Sequence, residues 1–244
     1  MDWTKAKSLL IVALIVTNLL LIATYYFQSD RFQNDRKEMQ DATIKLLEEK
    51  NIFVETDIPK EHPRMPKLTV QYDKLNEDVI DEQLANQEAL PEAEQTDENL
   101  ISMTTGFIKR CNLMTENVTF DSIERTDKII RVTYKNYIDG IAIEDSDIIC
   151  TVTDGKITDF KRYWLNPVEV SDNQKEVIPA VAALIKFMSE NTEEEKIYVQ
   201  KIALVYWLDS SAFDAESPVT DTAFPAWEIT YNQGKVQYVS AWEQ

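Results

Sequence analysis

The chain has 244 residues, and its 43 acidic residues against 25 basic ones give a formal net charge of −18. A surface of that sign repels nucleic acid, anionic wall polymers and anionic lipid headgroups, which excludes DNA or RNA as the natural ligand. The four glycines lie far apart and form no phosphate loop or dinucleotide fingerprint; the single histidine, His62, excludes a multi-histidine zinc site and has no G-x-S-x-G partner for a Ser-His-Asp triad.

Residues 8–27, SLLIVALIVTNLLLIATYYF, carry no charge. About 20 residues at about 1.5 Å each give roughly 30 Å of helix, enough to cross a bilayer. The run predicts one transmembrane helix after a cytoplasmic stub at 1–7. A secretory signal has a shorter apolar core and a small-x-small cleavage site. Here Leu21 stands two positions before Ala23, and the run closes on Tyr25, Tyr26 and Phe27, which suit a membrane–water interface. Lys5, Lys7 and the terminal amine favour a cytoplasmic N-terminus and an extracytoplasmic body, although Arg31, Arg36 and Lys37 weaken the charge difference. Asn18, beside Thr17, puts a primary amide in hydrocarbon. Either a lone span tolerates it, or it bonds to another transmembrane helix for about 0.6–2 kcal/mol.

Residues 28–72 read as a membrane-proximal helix followed by short strands. A partial apolar stripe, Phe32, Met39, Ile44, Leu46 and Leu47, marks the helix, and Asn51 marks its end. IFVE (52–55) and KLTVQY (67–72) are strand candidates around Pro59, Pro63 and Pro66. His62, within that proline-rich stretch, is expected to be an exposed linker residue. Residues 73–98 form an acidic linker whose weak apolar spacing (Val79, Ile80, Leu84, Leu90) allows a loose helix or a disordered stretch.

The remainder shows one pattern twice, at 99–170 and 171–244. Each copy opens with a helical stretch, NLISMTTGFIKRCN or KEVIPAVAALIKFMSEN, followed by strand-like sequence and a closing hairpin. Asp154-Gly155 and Asn232-Gln233-Gly234 supply the hairpin turns. Alternation places Ile148, Cys150, Val152, Trp227, Ile229 and Tyr231 in a core, with Thr151, Thr153, Glu228 and Thr230 outward. The fold class expected is α+β: a single transmembrane helix plus an extracytoplasmic domain of two repeated helix-on-antiparallel-sheet units. Trp164, Trp207, Trp227 and Trp242 read as core rather than ligand platform.

Few groups carry chemistry. Cys111 and Cys150 are either joined outside the cell or buried as thiols. Asp145 with Asp147, and Glu193 to Glu195, fit no calcium-loop pattern, and paired carboxylates arise by chance in so acidic a chain. No catalytic, cofactor-binding or metal site is assigned. The stretch DSSAFDAESPVTDTAFP (209–225) reads as a long loop and as the best partner surface on the body.

The opening, MDWTKAKSLLIVALIVTNLLL, resembles the YycI family of two-component system regulatory membrane proteins in Met1-Asp2-Trp3, Lys5, Lys7, the apolar run and Asn18. EKNIFVETDIPKEHPRMPKLTVQY is similar to that family's membrane-proximal region. The resemblance implies a non-enzymatic regulator of an essential cell-wall sensor histidine kinase of the WalK/YycG type in Gram-positive bacteria. Such regulators act with a YycH-like single-pass protein through transmembrane helix contacts. It makes Leu14, Thr17, Asn18 and Leu21 the candidate partner-interaction residues. A competing reading is an extracytoplasmic sensor that binds wall fragments or peptides. An anchored hydrolase would need a carboxylate-only mechanism, and no acid pair is singled out for one.

Overall fold

The computed structural model describes residues 14–21, 37–191, 195–208 and 220–243. Residues 14–21 are helical, and helix α1 covers 37–49. Thr43 and Leu47, one turn apart, are its buried residues, and Ile44 packs beside them. Met39 and Leu46, expected in the same stripe, face outward, and Phe32 lies outside the described residues. Asn51 ends the helix as expected: its φ of 60° is a left-handed conformation that asparagine tolerates better than most residues.

The body is a mixed α+β, sheet-rich domain with few helices. Its strands are β1 (Ile52–Val54), β2 (Arg64–Met65), β3 (Leu68–Tyr72), β4 (Val118–Thr126), β5 (Ile129–Ile138), β6 (Ile141–Thr153), β7 (Lys156–Tyr163), β8 (Leu165–Val170), β9 (Lys175–Glu176), β10 (Ile197–Trp207), β11 (Thr220–Tyr231) and β12 (Lys235–Ser240). Among the described residues, ten of them share one sheet with the path β4-β5-β6-β10-β11-β3-β8; β7 flanks β6, β12 flanks β11, and β1 lies parallel to β10. β2 and β9 form a separate pair. β4 to β7 run as an antiparallel meander, and β10 to β12 form a second one. The two meet along a narrow parallel seam, where Ala142 and Ile143 of β6 lie beside Val205 and Tyr206 of β10.

The helices cover one face of the sheet. Helix α3 (Asp97–Arg110) begins at Thr96, whose side chain accepts the Asn99 amide proton. Asp97 and Glu98 stand at its positive end, Lys109 and Arg110 at its negative end. Its Leu100, Thr104, Phe107 and Ile108 repeat on one side and pack on Val132, Tyr134, Ile148, Cys150 and Val152. Helix α4 (Ala180–Glu190) presents Ala180, Ala183, Leu184 and Phe187 to a second core with Ile197, Trp227, Ile229 and Tyr231. Trp227 Nε1 donates to Ile178 O at 2.9 Å, which satisfies the one polar atom of a nearly sealed indole.

The acidic segment is ordered. Helix α2 (Glu77–Ala85) buries Ile80 against the α3 core, and a 3₁₀ turn follows at Glu92–Glu94. Leu90 N donates to Gly155 O at 2.8 Å. Gln87 brackets the neighbouring strand, donating to Ile157 O (2.7 Å) and accepting from Ile157 N (2.9 Å). Propensity alone left this stretch open; docking on the Asp154-Gly155 turn decides it.

Three further readings are corrected and one open alternative is decided. Residues 220–225, expected in a loop, are strand, because β11 runs on past β10 to pair with β3; residues 209–219 lie outside the described residues. Glu228, expected outward into solvent, is buried, because the second face of the sheet is itself covered by side chains. His62 is half-buried rather than an exposed linker, with Nδ1 3.1 Å from Glu176. Cys111 and Cys150 are free and buried in the α3 core, so of the two readings the thiols hold.

Candidate functional site

The candidate partner residues of the N-terminal segment fall on the described helical stretch. Leu14, Thr17, Asn18 and Leu21 stand at i, i+3, i+4 and i+7, the spacing that lines up one helix face. All are exposed, Leu14 at 59% and Leu21 at 62%. Exposed leucines beside an amide form a stripe that a second helix or lipid can cover. Among the described residues no helix is long and apolar enough to cross a membrane; residues 8–13 and 22–27 of the predicted span lie outside them.

A second feature lies on the face of the sheet away from the helices. A small apolar cluster there joins Ala142, Val205 and Ala226, with Tyr137, Ala203, Trp207 and Tyr238 packed around it; no helix residue belongs to it among those described. Trp207 and Tyr238 stack with ring centroids 5.5 Å apart. Beside them β6 departs from its partner: Lys135 pairs with Asp147 and the next residue, Asn136, pairs with Ile143. Glu144, Asp145 and Ser146 therefore bulge, with Asp145 at φ 56°. Ser146 and Asn136 hold the bulge from the inside. Asn136 Nδ2 donates to Ser146 Oγ (3.1 Å) and to Leu165 O (2.8 Å), and Ser146 Oγ accepts from Leu165 N (3.0 Å).

The bulge turns Glu144 onto the helix-free face, where it is nearly buried. Lys135 Nζ donates to both its carboxylate oxygens (3.3 and 3.5 Å), and Tyr238 Oη lies 3.4 Å from Oε2. Glu228, also buried, accepts from Lys201 Nζ (3.1 and 3.2 Å) and from Thr230 Oγ1 (3.1 Å). Burial pulls the Lys135 ammonium down, but Glu144, Asp121 and Glu228 outweigh it and hold the group above its usual value. Burial pushes the Glu144 carboxyl up; Lys135 opposes this, and Glu228 adds to it. Burial likewise raises Asp147, with Lys135 opposing and Asp145 and Asp121 adding. Burial and the Glu144 and Glu228 charges keep the Tyr238 phenol protonated well above the usual range. Glu144 and Glu228 are each paired with a lysine, so the arrangement ties neighbouring strands together. Among the described residues no group of three or more acidic, histidine or cysteine side chains could hold a metal ion. Asp145 lies within the bulge and Asp147 directly after it, while Glu193 and Glu194 lie outside the described residues.

Sequence reasoning missed Lys135, Glu144, Lys201 and Tyr238 as a group. The available signal was charge at alternate, non-core positions of strands. Nothing local shows that β6 and β10 to β12 bring those positions together.

The family model described as YycI protein matches residues 31–242. The chain belongs to the YycI family. The YycI family is a family of regulatory proteins. No curated protein matches the chain. Among solved structures it is similar to the Bacillus megaterium YpeB C-terminal domain, with 12% identity and a TM-score of 0.38. The likeness covers 64% of this chain and 64% of that one, less than two thirds of its length.

Proposed function

We propose that this chain is a single-pass membrane regulator of a WalK/YycG-type sensor histidine kinase, acting with a YycH-like single-pass partner through its transmembrane helix. Its N-terminus is cytoplasmic and its body extracytoplasmic. The family match over 31–242 carries the reading, and the uncharged run at 8–27 supplies the anchor. The helix face Leu14, Thr17, Asn18 and Leu21 is the contact surface, with the Asn18 amide bonding across to a partner helix. Regulation follows as a population shift. The anchor binds one kinase state more tightly than the other, and the ratio of the two affinities limits the effect. The body, in this reading, descends from two copies of one unit, a helix followed by an antiparallel meander, at 99–170 and 171–244.

A second reading, an extracytoplasmic sensor of wall fragments or peptides, is favoured by the Trp207–Tyr238 stack on a helix-free sheet face. Expressing residues 1–31 alone in cells lacking the full chain separates the two. Kinase-controlled transcription restored by the anchor alone supports regulation through the helix. Transcription restored only by the full chain contradicts it and moves the function to the body.

A further inference from the structure

The two antiparallel meanders of the body touch through few backbone pairs. Among the described residues only Ala142 and Ile143 of β6 are registered with Val205 and Tyr206 of β10 across the seam. On the helix-free face that short ladder is bridged by side chains. Tyr238 lies directly across from Glu228 on β11, yet its hydroxyl reaches Glu144 on β6. Lys135 holds Glu144 from β5, and Lys201 holds Glu228 from β10. Glu144 is 9% exposed and Glu228 is 7% exposed, so two carboxylates of like charge sit on opposite sides of one seam, largely shielded from bulk solvent.

We infer that the Lys135–Glu144–Glu228–Lys201–Tyr238 cluster is a proton-responsive clasp between the two halves of the sheet, tightening when Glu144 takes up a proton from solvent and loosening when it gives the proton up.

The direction follows from where Glu144 is buried. With the seam closed, its charge is held away from water and faces Glu228; with the seam open, it is hydrated and titrates near its ordinary value of 4.5. The closed seam therefore binds the proton more tightly. Its extra stability is fully present below 4.5 and is lost as pH rises through the higher value of the closed state. The groups acting on Glu144 are Lys135 on β5, Lys201 on β10, Glu228 on β11 and the Tyr238 hydroxyl on β12; Asp121 on β4 acts on Lys135 and Asp147, and Asp145 acts on Asp147 and Tyr238. Asp147 is raised by burial and acts in the same direction. Lys135, held above 10.5, stays charged through mildly acidic and neutral pH, and Tyr238 stays protonated. Proton uptake leaves Lys135 less neutralised, but it removes the Glu144–Glu228 repulsion and the cost of a buried anion. The clasp is independent of the kinase reading: it concerns the seam alone, whatever the body touches.

The test is amide hydrogen exchange on the full chain in detergent between pH 7.5 and 5.5, corrected for intrinsic exchange rates, comparing wild type with Glu144→Gln. The amides of the β6–β10 ladder are read against those of the β6–β7 hairpin. In the wild type, protection of the ladder rises relative to the hairpin as pH falls, by up to about tenfold for each pH unit by which Glu144 is displaced. Glu144→Gln, neutral throughout, shows at pH 7.5 the protection that the wild type reaches at pH 5.5, with the pH response largely gone. Ladder protection that is flat or falls with acid overturns the clasp, as does a variant that keeps the full wild-type response. Should the variant not fold, carbon NMR of the wild-type Glu144 carboxyl decides: a midpoint at the ordinary value overturns the inference, and a raised one upholds it.

Discussion

Gly155→Ala tests how the acidic segment is held. Gly155 has φ 74° in the turn between β6 and β7, and Leu90 docks directly on it. A methyl group added there would collide with the Leu90 carbonyl oxygen and lie 2.9 Å from Leu90 N, both backbone atoms that no rotamer change can move. The left-handed conformation costs an alanine about 1–2 kcal/mol, offset by about 0.4–1 kcal/mol from a less flexible unfolded chain. Displacing Leu90 also breaks its hydrogen bond to Gly155 O, at about 0.5–1.5 kcal/mol, and lifts Leu90 from the α3 core. These terms come to about 0.5–3 kcal/mol, to which the lost Leu90 packing adds. Gly140→Ala is the control. Gly140 has a similar φ of 81°, but a methyl there meets nothing within 4 Å, so only the conformational cost of roughly 1 kcal/mol remains. Urea unfolding of the full chain in detergent, followed by tryptophan fluorescence, measures both. Limited proteolysis within 73–96 reports the local release. If Gly155→Ala is no more destabilising than Gly140→Ala, and the segment is cut no faster, the docking account is wrong.

Asn136→Ala should cost about 1–3 kcal/mol in the same unfolding experiment, because it leaves Leu165 O without its buried donor and Ser146 Oγ with only the Leu165 amide; a loss under about 0.5 kcal/mol would show that the β6 bulge holds without it. Cys150, with its thiol pushed up to about 12 by burial and then by Cys111, should resist iodoacetamide at pH 8 in the folded chain and react once urea unfolds it. Mass spectrometry of the labelled chain checks this, and fast labelling of the native protein, or a Cys111–Cys150 disulfide, counts against the buried-thiol assignment.

Local rules carried far in this chain. The stretch NLISMTTGFIKRCN made α3 legible, but the helix starts two residues earlier, at Asp97, behind a Thr96 cap that the sequence reading did not pick out. Asp154-Gly155 marked its hairpin because both residues need positive φ, and they adopt 49° and 74°. Alternation put Ile148, Cys150 and Val152 inside, where they are. The same rule failed at Glu228, because alternation tells the two faces apart without telling whether the second face meets water. Long-range pairing was the other hidden part. The parallel seam of β6 with β10, and the joining of β3 to both β8 and β11, depend on partners far away in sequence. The charged cluster on the seam was invisible for the same reason. Its members are ordinary lysines and glutamates until the sheet assembles. Asn18 was legible as an oddity at once, since an amide in an apolar run needs an explanation.

The central claim is partner engagement through the N-terminal helix, and co-purification from solubilised native membranes tests it most directly. The full chain and its Asn18→Leu variant are recovered side by side, with the body's circular dichroism compared to show that both are folded. The account predicts a sensor histidine kinase and a second single-pass protein with the wild type, and both reduced about threefold to thirtyfold in the variant, the equivalent of about 0.6–2 kcal/mol for one interhelical amide bond. Equal recovery of both partners by the two chains, or recovery of neither by the wild type, would contradict it.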